Sequence, residues 1–356
     1  MQYITVTTAA PASSSHWGGG KDTPVDARFD IEIVGEAEIG SYLEFFNAQW
    51  PFCATTPQEH MHELAAHAGP GRHRHWLVRE RGRGQSSNDV GDGAAAPVVA
   101  VAACEAPVWT PGSISAEVTI IVDPACRHSG IGAELYRRAS VFARELELQS
   151  LRISTFENER EGIAWLARHG FTEVERQLFV ALDLRAASAY DLPHAALPSG
   201  LAIVSLADRP DLRRAYHEVL AEAVPDIPGD EVAAMLPFEH WASSMDTSPV
   251  YRTESCFLVI DDSGEALAVA ELEYQALLPL QAWHGFTAVR AKDRRRGIAR
   301  ALKRHTIENA RDALGLARLV TENEVRNVGM RAINHDFGYE PLPSGLVWRG
   351  PLALDS

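Results

Sequence analysis

Two short segments hold the residue types best suited to chemistry. Arg127-His128-Ser129-Gly130-Ile131-Gly132 follows a β-like apolar run ending at Val122, and Arg294-Arg295-Arg296-Gly297-Ile298-Ala299 follows one ending at Val289. Each leads into an amphipathic helical pattern, 131–146 and 298–314. A strand, a tight turn and a helix start bring unpaired N–H groups and the positive end of a helix dipole to one point, which suits phosphate oxygens. Glycine in the turn lets the backbone come close to an anion. In the second segment three successive arginines add charge suited to a pyrophosphate. Arg300, Lys303 and Arg304 follow one to two helical turns along, where a further phosphate could reach them. The residue order fits neither a Gly-x-x-x-x-Gly-Lys-Ser/Thr nucleotide loop nor a Gly-x-Gly-x-x-Gly dinucleotide loop.

The elements around these turns recur as well. Arg127 and Arg294 stand 167 positions apart, and Gly170-Phe171 and Gly338-Tyr339 stand 168 apart. Each half opens on a short apolar strand (31–34; 201–204), continues into a helical stretch (39–47; 211–223) and then an irregular Pro-containing segment. Strand pairs follow at 75–79 with 98–105 and at 256–260 with 266–274, separated in the first half by a Gly/Ser/Asp-rich loop at 81–97. After the turn and its helix come a strand (151–155; 318–322) and a second helix that ends near Gly170 or Gly338. This order predicts an α/β class with mixed sheets, built as two tandem copies of one domain. The expected division is a disordered leader 1–28, a domain 29–186, a linker 187–199 and a domain 200–356.

Composition narrows the function classes. The 356 residues are 46% hydrophobic and 23% charged, ordinary globular usage with material for two cores. The formal net charge of −15 argues against nucleic acid or an anionic membrane as partner. No apolar run approaches a membrane span. The four scattered cysteines and the absence of a signal-like opening predict reduced thiols in the cytoplasm. His60, His62 and His67 lack a partner set with metal spacing and read as surface histidines, so no metal is expected.

The Arg-x-x-Gly-x-Gly/Ala segment resembles motif A of the GNAT acetyltransferase superfamily. Thr321-Glu-Asn323-Glu-Val-Arg-Asn327-Val-Gly-Met330-Arg-Ala-Ile333-Asn334-His-Asp-Phe-Gly338-Tyr339 resembles that family's later signature. The likeness covers nearly the whole chain and is similar to the arrangement of two-domain, mycothiol-synthase-like GNAT proteins. It implies acetyl-CoA (or another acyl-CoA) as co-substrate and a small-molecule amine as acceptor, in a monomer or homodimer. The strand before motif A would pair with the pantetheine arm through Val289, Arg290 and Ala291, or through Val122, Asp123 and Pro124, although Pro124 has no N–H. The pyrophosphate would sit on the amides of Arg294, Arg295, Arg296, Gly297, Ile298 and Ala299, or of Arg127, His128, Ser129, Gly130, Ile131 and Gly132. Asn323 or Asn327 would reach the pantetheine, with helix capping as the alternative.

The family's reaction is direct attack of the amine on the thioester, with a base taking the amine's proton. The tyrosine that often protonates the leaving thiolate is replaced by Asn334 in the second copy and Leu166 in the first, while Tyr339 reads as core. Glu117 and His284, 167 apart, read as matched positions facing the acceptor and are candidates for the base. Glu271 and Glu273, two apart on the preceding strand and so on one face, are alternatives. The first copy reads two residues shorter between Thr155 and Gly170, leaving Glu159 as a candidate counterpart of Asn327. Acyl transfer to an amine by the C-terminal copy is thus expected, against a non-catalytic acyl-CoA-binding or regulatory protein. The segments 50–67 and 224–251 are expected to build the acceptor pocket, with Asp226, Asp230, Glu231 and Glu239 suiting a cationic amine.

Overall fold

The structure is a computed structural model and describes residues 25–67, 71–81 and 96–354. Residues 1–24 of the expected leader and 82–95 of the expected loop lie outside the described residues. Residues 25–28 are held in place: Asp26 N–H donates to Ser129 O, and Arg28 pairs with Glu80.

The first half runs β1 (Phe29–Ile33), α1 (Ile39–Gln49), α2 (Pro57–His67), β2 (His73–Glu80), β3 (Val98–Glu105), β4 (Ser115–Val122), α3 (Ile131–Glu145), β5 (Ser150–Phe156), α4 (Arg160–Arg168) and β6 (Thr172–Asp183). The second runs β7 (Leu201–Ser205), α5 (Arg213–Ala223), α6 (Phe238–Thr247), β8 (Tyr251–Asp261), β9 (Ala266–Tyr274), β10 (Gln281–Val289), α7 (Ile298–Glu308), β11 (Arg318–Glu324), α8 (Val328–Asp336), β12 (Glu340–Pro341) and β13 (Gly345–Pro351). β4 is rich in β-branched residues, and α3 buries Ile131, Leu135, Tyr136, Ala139, Phe142 and Ala143 on one stripe, as its period demands. The α7 helix is shorter than its pattern: a wide π-type turn at Asn309–Ala313 closes it.

In each half antiparallel strands lead to one parallel pair, β4 with β5 or β10 with β11, joined over α3 or α7. The parallel pairing is short. It covers Ser115–Val118 against Ser150–Ile153, and Gln281–Trp283 against Arg318–Val320, beyond which the strands part.

The strand order is β1-β2-β3-β4-β5-β13-β6-β11-β10-β9-β8-β7, a single sheet through both halves. β13, the last strand of the second half, lies between β5 and β6 of the first. β6 in turn gives Gln177–Asp183 to β11 and pairs with β12 at Val180 and Ala181. Each half is therefore completed by a strand of the other, and strand pairing crosses the boundary expected at 187–199. The buried aromatics Trp50, Phe156, Phe179 and Trp283 pack together where the halves meet. α3 and α4 cover one face of the first half and α1 the other, with α7 and α8 opposite α5 in the second.

Candidate active site

The two phosphate-type turns share one backbone. His128 and Gly130 have φ of 60° and 85°, and Arg295 and Gly297 have 61° and 81°. Left-handed residues at alternate positions turn successive N–H groups to one side, and the helix starts at Gly130 and Gly297 have no side-chain cap to consume those donors. Arg127 and Arg294 brace the turns from below, each Nε donating to the last strand carbonyl, Val122 O at 3.4 Å and Val289 O at 3.0 Å. Arg294 also pairs with Asp226, and Arg127 with Glu161.

Nearby groups differ from the expectation. Arg290 N–H donates to Leu267 O, so by antiparallel alternation Val289 faces its N–H and C=O into the gap toward β11. The Ala291 N–H is held by the Glu222 carboxylate at 2.8 Å. In the first half Asp123 accepts from Ala125 N–H, while Asp123 N–H donates to Val99 O. Ser129 donates to Cys126 O. Arg300 is paired with Asp336 and Arg304 with Glu308. Lys303 is not beside the phosphate turn at all: it is 1% exposed, inside the second half. A pocket of about 190 Å³ adjoins Lys292 and Arg296, but Asp261, Glu265 and Asp293 share it and oppose a phosphate there.

Strand register separates the two candidate bases. Glu117 pairs with Glu105 in an unbroken β3–β4 ladder, whereas β10 carries a bulge between His284 (opposite Leu272) and Thr287 (opposite Ala270). The extra residue moves His284 to the place that Val118 holds in the first half, so Glu117 and His284 lie on opposite faces. His284 is fully buried under α7 and α8, its Nδ1 3.2 Å from Tyr339 Oη. Burial, aided by the Lys303 charge, pushes its pKa well down, which removes it from the acceptor side as a base.

The bulge instead gathers Glu271 and Glu273. A Cβ on Gly285 would stand 2.6 Å from Glu273 Oε1 and 3.3 Å from Glu271 Oε1, so the glycine leaves room for both carboxylates against the strand. Glu271 accepts from Tyr216 Oη at 2.7 Å and from the Phe286 N–H. Burial and the neighbouring Glu273 push its pKa up to about 8. Glu273 is raised by burial too and hydrogen-bonds Tyr251. Glu322 on β11 is pushed up to about 7 by burial, with Glu175 and Glu273 adding to it. Glu63 of α2 reaches the same region from the first half and, after burial, is among the charges that raise Glu273 and Glu105. Charge and burial here disfavour further anions and suit a cation.

The corresponding face of the first half is closed. Arg152 is 8% exposed and pairs with Glu117 (3.1 Å), Glu175 (3.7 Å), Asp230 and Glu231 (3.8 Å). Asp230 and Glu231 come from the α5–α6 segment of the second half and also bind Arg349 of β13 at 2.7 and 2.6 Å. Two of the four carboxylates expected at the acceptor pocket, Asp230 and Glu231, thus plug the other half, while Asp226 pairs with Arg294 and Glu239 with Arg214. Glu117, raised to about 7 chiefly by burial, is locked in that ion cluster.

The later signature is largely internal structure. Asn327 caps α8, its Oδ1 accepting from Met330 N–H at 3.3 Å, and Glu159 stands at the matching start of α4. β5 and β11, α4 and α8 all keep one offset of 168, so Ile153, not Thr155, matches Thr321 and no residues are missing from the first copy. Asn334 Nδ2 donates to Asn323 Oδ1 at 2.6 Å, which ties both asparagines to each other. His60 is not a free surface residue; its Nε2 lies 3.2 Å from His75 Nε2, and burial pushes its pKa down to about 4. Among the described residues no group of three or more side chains is arranged for a metal, all four cysteines are free and buried, and no helix is long and apolar enough to cross a membrane.

A duplicated mixed sheet whose parallel strands part beside a glycine-bearing strand-to-helix turn defines a tandem α/β fold. Residues 41–171 match the acetyltransferase (GNAT) family. Over 57 residues the chain is 46% identical to an amino-acid acetyltransferase of Mycobacterium tuberculosis, a match spanning 16% of this chain and 30% of that protein. A tandem GNAT protein from the clavulanic acid biosynthesis pathway superposes with a TM-score of 0.70 at 17% identity, over 92% of this chain and 100% of that one. A GCN5-related N-acetyltransferase from Sphaerobacter thermophilus gives 0.66 at 17%, over 93% and 98%. The first half thus matches the GNAT acetyltransferase family, and the whole chain shares the fold and the tandem arrangement of these two-domain structures.

Proposed function

We propose that the C-terminal half transfers an acyl group from acyl-CoA to the amine of a small cationic acceptor, and that the N-terminal half is a closed partner. The observation that carries this reading is the bulge at 284–287, present in β10 and lacking in β4, with Glu271 and Glu273 drawn against it. The amides from Arg294 to Ala299 and the outward groups of Val289 would hold the donor's phosphates and pantetheine. Glu271 would take the proton of the attacking amine; held near 8 by burial, it is basic enough to do so once ionised. The carboxylates of Glu63, Glu273 and Glu322 favour an acceptor carrying positive charge. α2 of one half packs against α6 of the other and brings Glu63 toward Glu273, which favours a small molecule over a protein surface as acceptor.

Steady release of free CoA thiol from acetyl-CoA with a panel of mono- and polyamines and amino-acid amines tests this reading. Turnover favouring cationic amines is expected. Binding of acetyl-CoA without turnover for any amine would leave an acyl-CoA-binding protein instead.

A further inference from the structure

The C-terminal half also buries a polar cluster on the opposite face of the gap, under α7 and α8. His284 Nδ1 lies 3.2 Å from Tyr339 Oη and its Nε2 3.3 Å from Thr287 Oγ1, while Thr321 Oγ1 donates to the His284 carbonyl at 2.8 Å. Lys303 Nζ stands 5.1 Å from the centroid of the Tyr339 ring, and among the described residues no carboxylate is paired with it. Asn334, 2% exposed, leaves its Oδ1 buried without a hydrogen-bond partner.

The first half has none of this. The counterparts of His284, Asn334 and Tyr339 are the buried Val118, Leu166 and Phe171, and Tyr136, at the place of Lys303, donates to Pro351 O at 2.8 Å. A buried ammonium without a counter-ion destabilises a fold, and an apolar side chain of that size would serve packing better. The retained amine, at the half that keeps the bulge, points to chemistry.

We propose that Lys303 donates the proton that the departing thiolate takes up, from α7, in place of the tyrosine that the family pattern would set at Asn334. The inference rests on the acyl-transfer reading above. As the amine nitrogen bonds to the carbonyl carbon, its proton passes to Glu271. The carbon–sulfur bond then breaks with the electron pair remaining on sulfur, and sulfur takes a proton from Lys303 Nζ. Exchange with water afterwards removes the proton from Glu271 and returns one to Lys303. Burial alone pushes Lys303 down to about 7, which places its acidity near neutral pH, where proton donation is efficient. His284 stays neutral and anchors the Tyr339 ring under the amine.

The test compares full-length wild type with Lys303→Met, Lys303→Gln and Lys303→Arg, using acetyl-CoA and acetyl-seleno-CoA with an amine the wild type accepts. A selenolate leaves without needing a proton. The expected result is a kcat about 100-fold lower with the thioester for all three variants, a change of at most about threefold with the selenoester, and a nearly unchanged KM for the donor. Circular dichroism should show the fold intact, with Lys303→Met at least as heat-stable as wild type. Equal losses with both donors, or a thioester kcat within about threefold of wild type, would overturn the assignment while leaving acyl transfer standing. No thiol release by the wild type with any amine would overturn both.

Discussion

Gly285 and Glu273 leave no space for a side chain between them: a methyl group on the glycine would come within 2.6 Å of the carboxylate Oε1. The carboxylate end is flexible and can move, whereas the bulged strand is fixed by β9. Gly285→Ala should therefore displace Glu273 and Glu271 rather than unfold the chain. A stability loss of about 1–2 kcal/mol is expected together with a kcat lowered about tenfold or more, read by thermal melting and thiol release.

Glu271 predicts a pH dependence with a definite sign. Its folded pKa, about 8, lies above the ordinary carboxyl value of 4.5, so between those values the folded state holds a proton that the unfolded chain has lost. Stability falls as pH rises between those values. The ionised carboxylate gives activity a rising limb toward about 8, and the need for a protonated Lys303 gives it a falling limb above about 7, so the profile peaks between the two. Glu271→Gln should remove that rising limb and should be more heat-stable than wild type at pH 8, with the difference vanishing toward pH 4. Glu273, Tyr216, Tyr251 and Cys256 share this environment, so the apparent midpoint belongs to the group.

The two anion turns allow a controlled comparison. Gly297 and Gly130 share left-handed φ of 81° and 85°, so alanine at either position carries about 1–2 kcal/mol of strain. Gly297→Ala should raise the KM for acetyl-CoA about tenfold or more. Gly130→Ala should lower the melting temperature comparably and leave that KM alone.

Strand exchange predicts that neither half is a folding unit. Residues 25–199 alone would lack β13 beside β5, and 200–356 alone would lack β6 beside β11. Each piece expressed separately should show little cooperative unfolding by circular dichroism, and co-expression should restore it. A cooperative melt of either piece alone would refute this.

The repeat and its two glycine turns were legible because glycine, arginine and helix periodicity are local signals. The exchange of β6 and β13 was not, since an apolar strand does not name its partner. The bulge misled more subtly. Glu117 and His284 share the offset of the two turns, yet one inserted residue turns His284 to the other face. Gly285, a glycine inside a strand pattern, was the available sign. Lys303 was readable as well: in the repeat it falls at Tyr136, within the buried stripe of α3, but a basic residue near a phosphate turn suggests a surface role. The Asp230–Arg152 plug joins residues 78 apart in opposite halves, and no local pattern announces it.

The assignment of catalysis to the C-terminal half is tested most directly by acetyl-CoA-dependent thiol release from Glu271→Gln and Glu117→Gln, each checked for native circular dichroism, with the best amine acceptor at pH 8. A loss of about 100-fold or more in kcat for Glu271→Gln, with Glu117→Gln near wild type, is the predicted result. Full activity in Glu271→Gln, or its loss in a folded Glu117→Gln, would contradict the account.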